Sequence, residues 1–574
     1  MNMKKLLLGL FALTFMFVLI ACGDNDEPET ADPGPGETTD NNGGEDEVTL
    51  PADIEALIAQ FNLPEPRFVP DSNTPSWQLD QGFDAELTWY VNYIWWPAHE
   101  MGDSWVTETM MGDLNVRISF ISGNTDNLNA MIAGGDLPDI ITLGSYNTGI
   151  VNEANMFALP LDVLAQVYDP YFLEILHPQT RAWMTHEDGY MYGIPNESMH
   201  SDEINAGYAF PGAGFFVRQD IFEAIGSPDM TTPEGFLQAL RDALEYMPTD
   251  DAGRPLTPFS GDYMNITTND NGAFSGVLQD FLAIPTTNPD GTFYDRDADP
   301  EYLAWLLVFR QAMEEGLMSM DQFSHDNETV NNELESGRYF ALMTGNTNDF
   351  ASRLNNISNN NPTQMMIPIS GPRNATGDPH TFPAGGINGW THTFITQQAN
   401  DPQSAMQVIT YLWSDHGQMV QQFGIEGETF EFVDGVPTWL PEIAEFHASE
   451  YYEFRDVWGM RTFWMLRRPG FFASQGVLPS GPHGEVQLFN RQFNQARLNF
   501  INLEPAEGAL QRDLEVIDLA RSQAIADVLT AGGDAEATQI WENFLESRNN
   551  FDWAGINEYR NNRLAINRER LGMN

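Results

Sequence analysis

Cysteine occurs once in this 574-residue chain, at Cys22, and lysine twice, at Lys4 and Lys5. One cysteine excludes an internal disulfide framework. Beyond Lys5 every cation is arginine, although lysine is normally among the commonest residues. Lysine titrates near about pH 10.4, whereas arginine keeps its charge above about pH 12. The absence therefore predicts an alkaline exterior, with salt as a further or alternative cause. Nucleotide-composition bias competes as an explanation, but it leaves the acidity unaccounted for. Positive charge is scarce as well: 26 Lys and Arg stand against 83 Asp and Glu, a formal net charge of -57. That balance excludes nucleic acid as a partner.

A long apolar run is also missing at the N-terminus. Leu6 to Ala21 spans 16 residues after a short basic start and ends in Leu19-Ile20-Ala21-Cys22. The run is shorter than the roughly 20 residues of a membrane span, and it has the small residue of a cleavage point, so 1–21 reads as a secretory signal. The Leu-Ile-Ala-Cys sequence resembles the lipobox of bacterial lipoproteins, which implies a diacylglycerol thioether on Cys22. Two acyl chains at about 0.8 kcal/mol per methylene make a stable anchor. Residues 23–50 hold ten acids and no base among Gly, Pro and Thr. Such a stretch buries too little to offset its ordering entropy, and its like charges extend it, so it is expected to be a disordered acidic tether. The expected location is the extracellular face of the cell membrane, reached through the lipid alone.

The chain beyond the tether is too long for a single core. A lead-in helix and connector are expected over 51–80 and a two-lobe body over 81–574. Strand signals at 86–93, 115–120 and 139–143 alternate with helical ones at 105–111 and 127–133, the first half of a doubly wound α/β domain. A second set starts near Gly214, with strands at 215–217 and 339–344. Its helices are expected at 219–225, from Thr232-Pro233 to Tyr246, and at 302–315. A strand at 390–396 then leads to a helix at 403–413.

Between these elements lie the motifs Gly134-Gly-Asp-Leu-Pro-Asp-Ile (134–140), Asp188-Gly-Tyr-Met-Tyr-Gly-Ile-Pro (188–195), Phe216-Val-Arg-Gln-Asp (216–220), Gly337-Arg-Tyr-Phe-Ala-Leu-Met (337–343) and Tyr411-Leu-Trp-Ser-Asp-His-Gly (411–417). With these motifs the chain resembles family 1 extracellular solute-binding proteins of ABC importers, in particular large LipO-like or YtcQ-like oligosaccharide lipoproteins of Gram-positive bacteria. The resemblance implies a type II periplasmic-binding-protein-like fold. Lobe 1 is expected at about 81–197 and 385–435, and lobe 2 at about 198–384 and 436–574. It also implies a cleft that closes on an oligosaccharide, permease subunits as partners, a monomer and no cofactor. Relatives often carry a calcium loop after the helix that ends here at Met247. In this chain Pro248-Thr-Asp-Asp-Ala-Gly-Arg-Pro-Leu-Thr (248–257) has lost the terminal acids and gained Arg254, so no tight calcium site is expected.

Candidate ligand residues are those that stack on sugar faces or hydrogen-bond hydroxyls at cleft-facing loops. Trp95 and Trp96 follow the first strand, with core packing as the competing explanation. Asp136 and Asp139 sit in a turn where capping serves equally well. Asn196 and Glu197 follow Pro195, where loop solvation competes. Trp390 follows Gly385-Gly-Ile-Asn-Gly (385–389) and is the foremost candidate. Trp458, Trp464 and Arg467 form an aromatic-basic group. Arg467 is open either to a uronate carboxylate or to an internal ion pair. A secreted glycan hydrolase is the competing class, but no nucleophile elbow is present. The His-Glu pairs at 99–100 and 186–187 lack the second histidine of a zinc protease helix. A surface adhesin or sensor subunit is the third reading.

Overall fold

A computed structural model describes residues 50–80, 84–96, 100–250, 253–261, 272–460 and 462–573. The expected signal, the Cys22 anchor and nearly all of the tether lie outside them. No helix among the described residues is long and apolar enough to cross a membrane.

The first lobe is built on a five-stranded sheet. Its strands are β1 (Ala85–Val91), β2 (Val116–Ser122), β3 (Ile140–Gly144), β4 (Gly193–Pro195) and a late arrival, β10 (Thr391–Ile395), in the order β2-β1-β3-β10-β4. β1 pairs in parallel with β2 and β3, while β10 runs antiparallel to β3 and β4 because it re-enters from the second lobe. Every residue of β3 is buried, as expected where helices cover both faces. The crossover helices start where the sequence offers caps. Ser104 and Asn124 each close a capping box ahead of Trp105–Leu114 and Thr125–Gly134.

The second lobe holds β5 (Gly214–Arg218), β6 (Thr257–Gly261), β7 (Tyr339–Thr344) and β8 (Met366–Pro368) in the order β6-β7-β5-β8. Its core is aromatic: Phe215, Phe236, Phe259, Phe274, Phe309 and Trp305 meet edge-on or stacked within 6.4 Å. The helix Pro233–Tyr246 opens on the Thr232 cap with proline in its first turn, as expected.

The chain crosses between the lobes after β4, again through β9 (Phe382–Pro383) into β10, and a third time beyond residue 474. Residues 436–474, expected in the second lobe, pack instead on the first. β11 (Phe430–Val433) and β12 (Val436–Trp439) form one hairpin across the expected boundary. Trp458 then stacks on Trp105 at 4.8 Å, and Phe463 packs on Trp89 at 6.1 Å. The dense aromatic content of this segment finds its complement there. The helix Gly481–Asn490 returns to the second lobe, β13 (Asn494–Gln495) pairs with β9, and the last helices pack on Pro300–Glu314. The lead-in helix Ala52–Phe61 and its connector rest on the first lobe, where Arg67 binds both Asp80 and Asp401.

Candidate functional site

In open α/β sheets ligands bind at the carboxyl edge of the strands. In the first lobe that edge is formed by the ends of β1 and β3 and the start of β10, the side from which the chain crosses to its neighbour. Four rings gather there. Trp390 lies face to face on Trp464, with centroids 4.5 Å apart and planes 6° from parallel. Trp95 lies 5.5 Å from Trp464 and 6.4 Å from Trp390. Tyr93 meets all three edge-on or tilted at 5.2–5.6 Å. Trp464 is buried and backs the group. Trp95 at 59% exposure and Trp390 at 38% offer the open surface.

The backbone holds this platform firmly. Asn196 is fully buried, and its Oδ1 accepts from the amides of Trp390 and Thr391 at 3.0 and 2.9 Å. The Trp390 carbonyl accepts from the Ser145 amide on β3's far end. Gly389 turns the chain at φ +57°, and a Cβ there would stand 1.9 Å from the Asn196 carbonyl oxygen. Glu197 is also left-handed at φ 45°, a conformation costly outside glycine and frequent at functional positions. Its amide bonds the Arg467 carbonyl, tying the first crossing to the loop that carries Trp464.

Four buried polar atoms at this corner have no partner among the described residues: Tyr93 Oη, Asn196 Nδ2, Thr391 Oγ1 and Trp464 Nε1. Burial pushes the Tyr93 hydroxyl above its usual range, and the Tyr146 hydroxyl, near but outside hydrogen-bond geometry, adds to the effect. Orphaned donors beside open aromatic faces suit a ligand rich in hydroxyls.

The other expected residues divide. Trp96 is 3% exposed and packs edge-on against Phe120 at 5.1 Å, so it is core. Trp458, stacked on Trp105 and bonded through Nε1 to the Gln421 carbonyl, is core as well. Asp136 and Asp139 sit at the amino edge of β3, the wrong end for the site. Asp136 is exposed. Asp139 is buried, and its carboxylate accepts from the Thr88 amide and hydroxyl and from the Asn400 amide, each at 2.7 Å. Arg467 lies half-buried with its guanidinium over Phe472, while Arg468 is committed to Asp415 and the Trp413 carbonyl. Tyr93 and Tyr146 were not anticipated. Tyr93 continues the face of Trp89 and Val91 just past β1, and strand period alone could have flagged it.

Asp250, left over from the calcium-type loop, is bound by Arg254 at 2.6 Å; Asp251 lies outside the described residues. His177, His200 and Asp202 bring three ligand atoms within 4.8 Å of one another. However, His177 Nδ1 accepts from the Gln179 amide, so the neutral ring carries its proton on Nε2, toward Asp202, and does not face a metal with a lone pair. In the second lobe, β7 ends at its own carboxyl edge in Thr344, with Asn346 two residues beyond. Residues 262–271, which leave β6 at that edge, lie outside the described residues.

No family model and no curated protein matches the sequence. Solved structures do. The alginate-binding protein AlgQ2 without calcium ion superposes with a TM-score of 0.57 at 15% identity, over 84% of this chain and 99% of that one. The HMO binding ABC-transporter associated solute binding protein from Bifidobacterium longum infantis gives 0.58 at 12% identity, over 84% and 99%. The S. pneumoniae ABC-transporter substrate binding protein FusA, in complex with kestose, gives 0.57 at 16%, again over 84% and 99%. Likeness at such low identity carries the fold, and the fold of this chain is the two-lobed α/β fold of periplasmic-binding-protein-like solute-binding proteins.

Proposed function

We propose that this chain is a substrate-binding subunit of an ABC importer that captures an oligosaccharide between its lobes and delivers it to the permease without altering it. The observation that carries the reading is the platform of Trp95, Trp390 and Trp464 with Tyr93 at the carboxyl edge of the first sheet. Sugar rings present apolar C–H faces that stack on indoles, and their hydroxyls meet the orphaned donors around Asn196. The neighbours by fold bind alginate, HMO and kestose by their own descriptions, and this supports a glycan as the ligand class. Arg467, beside the platform loop, is the residue that would receive a uronate carboxylate. The lipobox and acidic tether support attachment outside the cell membrane, as in the large oligosaccharide lipoproteins that the sequence resembles. Hinge closure around the ligand would present a shape the permease reads.

The test is calorimetric titration of the full chain with a panel of neutral and uronate oligosaccharides, with product analysis of the same mixtures. A micromolar ligand, recovered intact, is expected. Trp390→Ala should weaken it about 30-fold, or ~2 kcal/mol, as loss of a central aromatic anchor does. Absence of any glycan ligand, or binding indifferent to Trp390 and Trp464, would remove the reading; cleavage of the glycan would turn it to a hydrolase.

A further inference from the structure

The first sheet has a second face at the same edge. β10 alternates: Thr393 bonds Thr142 on the Trp89 side, whereas Phe394 packs on Phe157 on the other. The aromatic platform continues the Trp89 side through Tyr93. His392, on the Phe394 side, lines a cavity of about 1330 Å³ that both lobes wall and to which none of the platform rings contributes. Four arginines line it from the second-lobe side: Arg296, Arg497, Arg563 and Arg570.

Two of the four are spent. Arg296 and Arg497 both grip the Asp280 carboxylate, at 2.7 and 2.6 Å. Arg563 and Arg570 are different. They lie seven residues apart on the helix Trp553–Leu571, hence on one face, and neither makes an ion pair within 4.0 Å among the described residues. Arg563 Nε is buried without a partner. Arg570 lies over the Trp183 ring and donates to that residue's carbonyl at 3.4 Å, contacts that bring no opposite charge within ion-pair distance. Burial, and then the Arg563 charge, pull the Arg570 guanidinium below its ordinary proton affinity, with Glu187 countering. The other acids of the lining are engaged elsewhere: Glu504 pairs with Arg560, and Asp188 accepts from the Tyr192 hydroxyl. In a chain with 83 acids, two neighbouring arginines line this cavity without an ion pair, and of the lining's three acids only the exposed Glu187 acts on one of them.

We propose that this cavity is an oxyanion site, in which Arg563 and Arg570 together take a carboxylate or phosphate group, with Thr148 and Asn152 of the first lobe in the same lining. A planar guanidinium matches such a group bidentately, and an anion between two guanidiniums relieves their mutual repulsion. Because the cavity is walled by both lobes, its occupant contacts both and biases their separation. The site stands whether or not the platform binds glycan.

The experiment is a thermal unfolding series on the full chain with inorganic phosphate and, separately, glucuronate, each against sodium chloride at equal ionic strength. A ligand bound only by the folded state raises the midpoint, so a rise of several degrees beyond the chloride control is expected, and the arm that responds names the source of the oxyanion. Arg563→Gln with Arg570→Gln should weaken the response at least tenfold. Trp390→Ala should leave it intact. Should the double variant fold poorly, Arg563→Lys, which keeps the charge and loses the fork, should reduce the response on its own. No shift beyond chloride, a shift that survives the double substitution, or one lost in Trp390→Ala would each overturn the proposal.

Discussion

One strand, β10, serves two chemically opposite neighbourhoods. On the side of Thr391 and Thr393 the edge is aromatic and uncharged, with buried donors waiting for partners. On the side of His392 it opens into a cavity whose far wall is guanidinium. Period-two alternation accounts for the sorting along the strand, but not for Trp390, which has the same parity as His392 and still joins the aromatic side. The turn at Gly389 reverses it. Left-handed φ there lets the chain pass against the Asn196 carbonyl and redirects the next side chain. The comparison is therefore most sharply tested at this glycine. Gly389→Val combines a strained φ with a Cβ 1.9 Å from a backbone oxygen, and upwards of ~3 kcal/mol of stability should be lost. A melting temperature within two degrees of the parent, with glycan binding retained, would show that the turn does not set the two faces.

The next largest effect belongs to the cavity side. Burial pushes the His392 imidazole down to about 4, from an ordinary value near 6.5. The unfolded chain then binds more protons between those values, so this residue's contribution to stability is intact above about pH 6.5 and is lost as pH falls toward 4. The full effect is at most about 3 kcal/mol for a group 3% exposed. Buried Asp169, 1% exposed and raised to about 6, acts in the opposite sense: its folded form holds a proton longer, so stability falls as pH rises from about 4 to 6. Urea unfolding across pH 4–7 should therefore show His392→Gln losing less stability on acidification than the parent, and Asp169→Asn losing more. Oligosaccharide affinity, which rests on rings that do not titrate in that window, should stay level. A binding curve that tracks the His392 slope would join the two faces functionally.

Much of the scaffold was legible because its signals are redundant. The strand 339–344, the helix opening at the Thr232 cap and the helix expected at 403–413, found as Pro402–Trp413, stand where apolar runs and the Thr232 cap put them. β4 and β8, three residues each, are too short to show a period. At the site the difficulty is different: tryptophans that stack on ligand and tryptophans that fill a core are the same residue. Trp95 and Trp96 are adjacent, and the chain sends one outward and one onto Phe120. Trp464 and Trp458 part in the same way, through contacts more than 300 residues away in sequence for Trp458 and Trp105. Strand direction was the unused clue for the aspartates. A residue just before a parallel strand stands at its amino edge, away from any carboxyl-edge site, and this places both Asp136 and Asp139 outside the platform.

Those two aspartates give the finest test, because they look alike in sequence and differ only in what surrounds them. Asp139 takes three short hydrogen bonds that clamp β1, β3 and the loop after β10. Asp139→Ala leaves the Thr88 and Asn400 amides without their acceptor, and one to three kcal/mol, roughly, should be lost. Asp136 is exposed, and its alanine variant should stay within about 0.5 kcal/mol of the parent. Neither should alter glycan affinity or the phosphate response, since the amino edge of β3 touches neither face of the carboxyl edge. A loss of affinity in Asp136→Ala would put the binding surface at the opposite end of the sheet, and with it the whole assignment of the two faces.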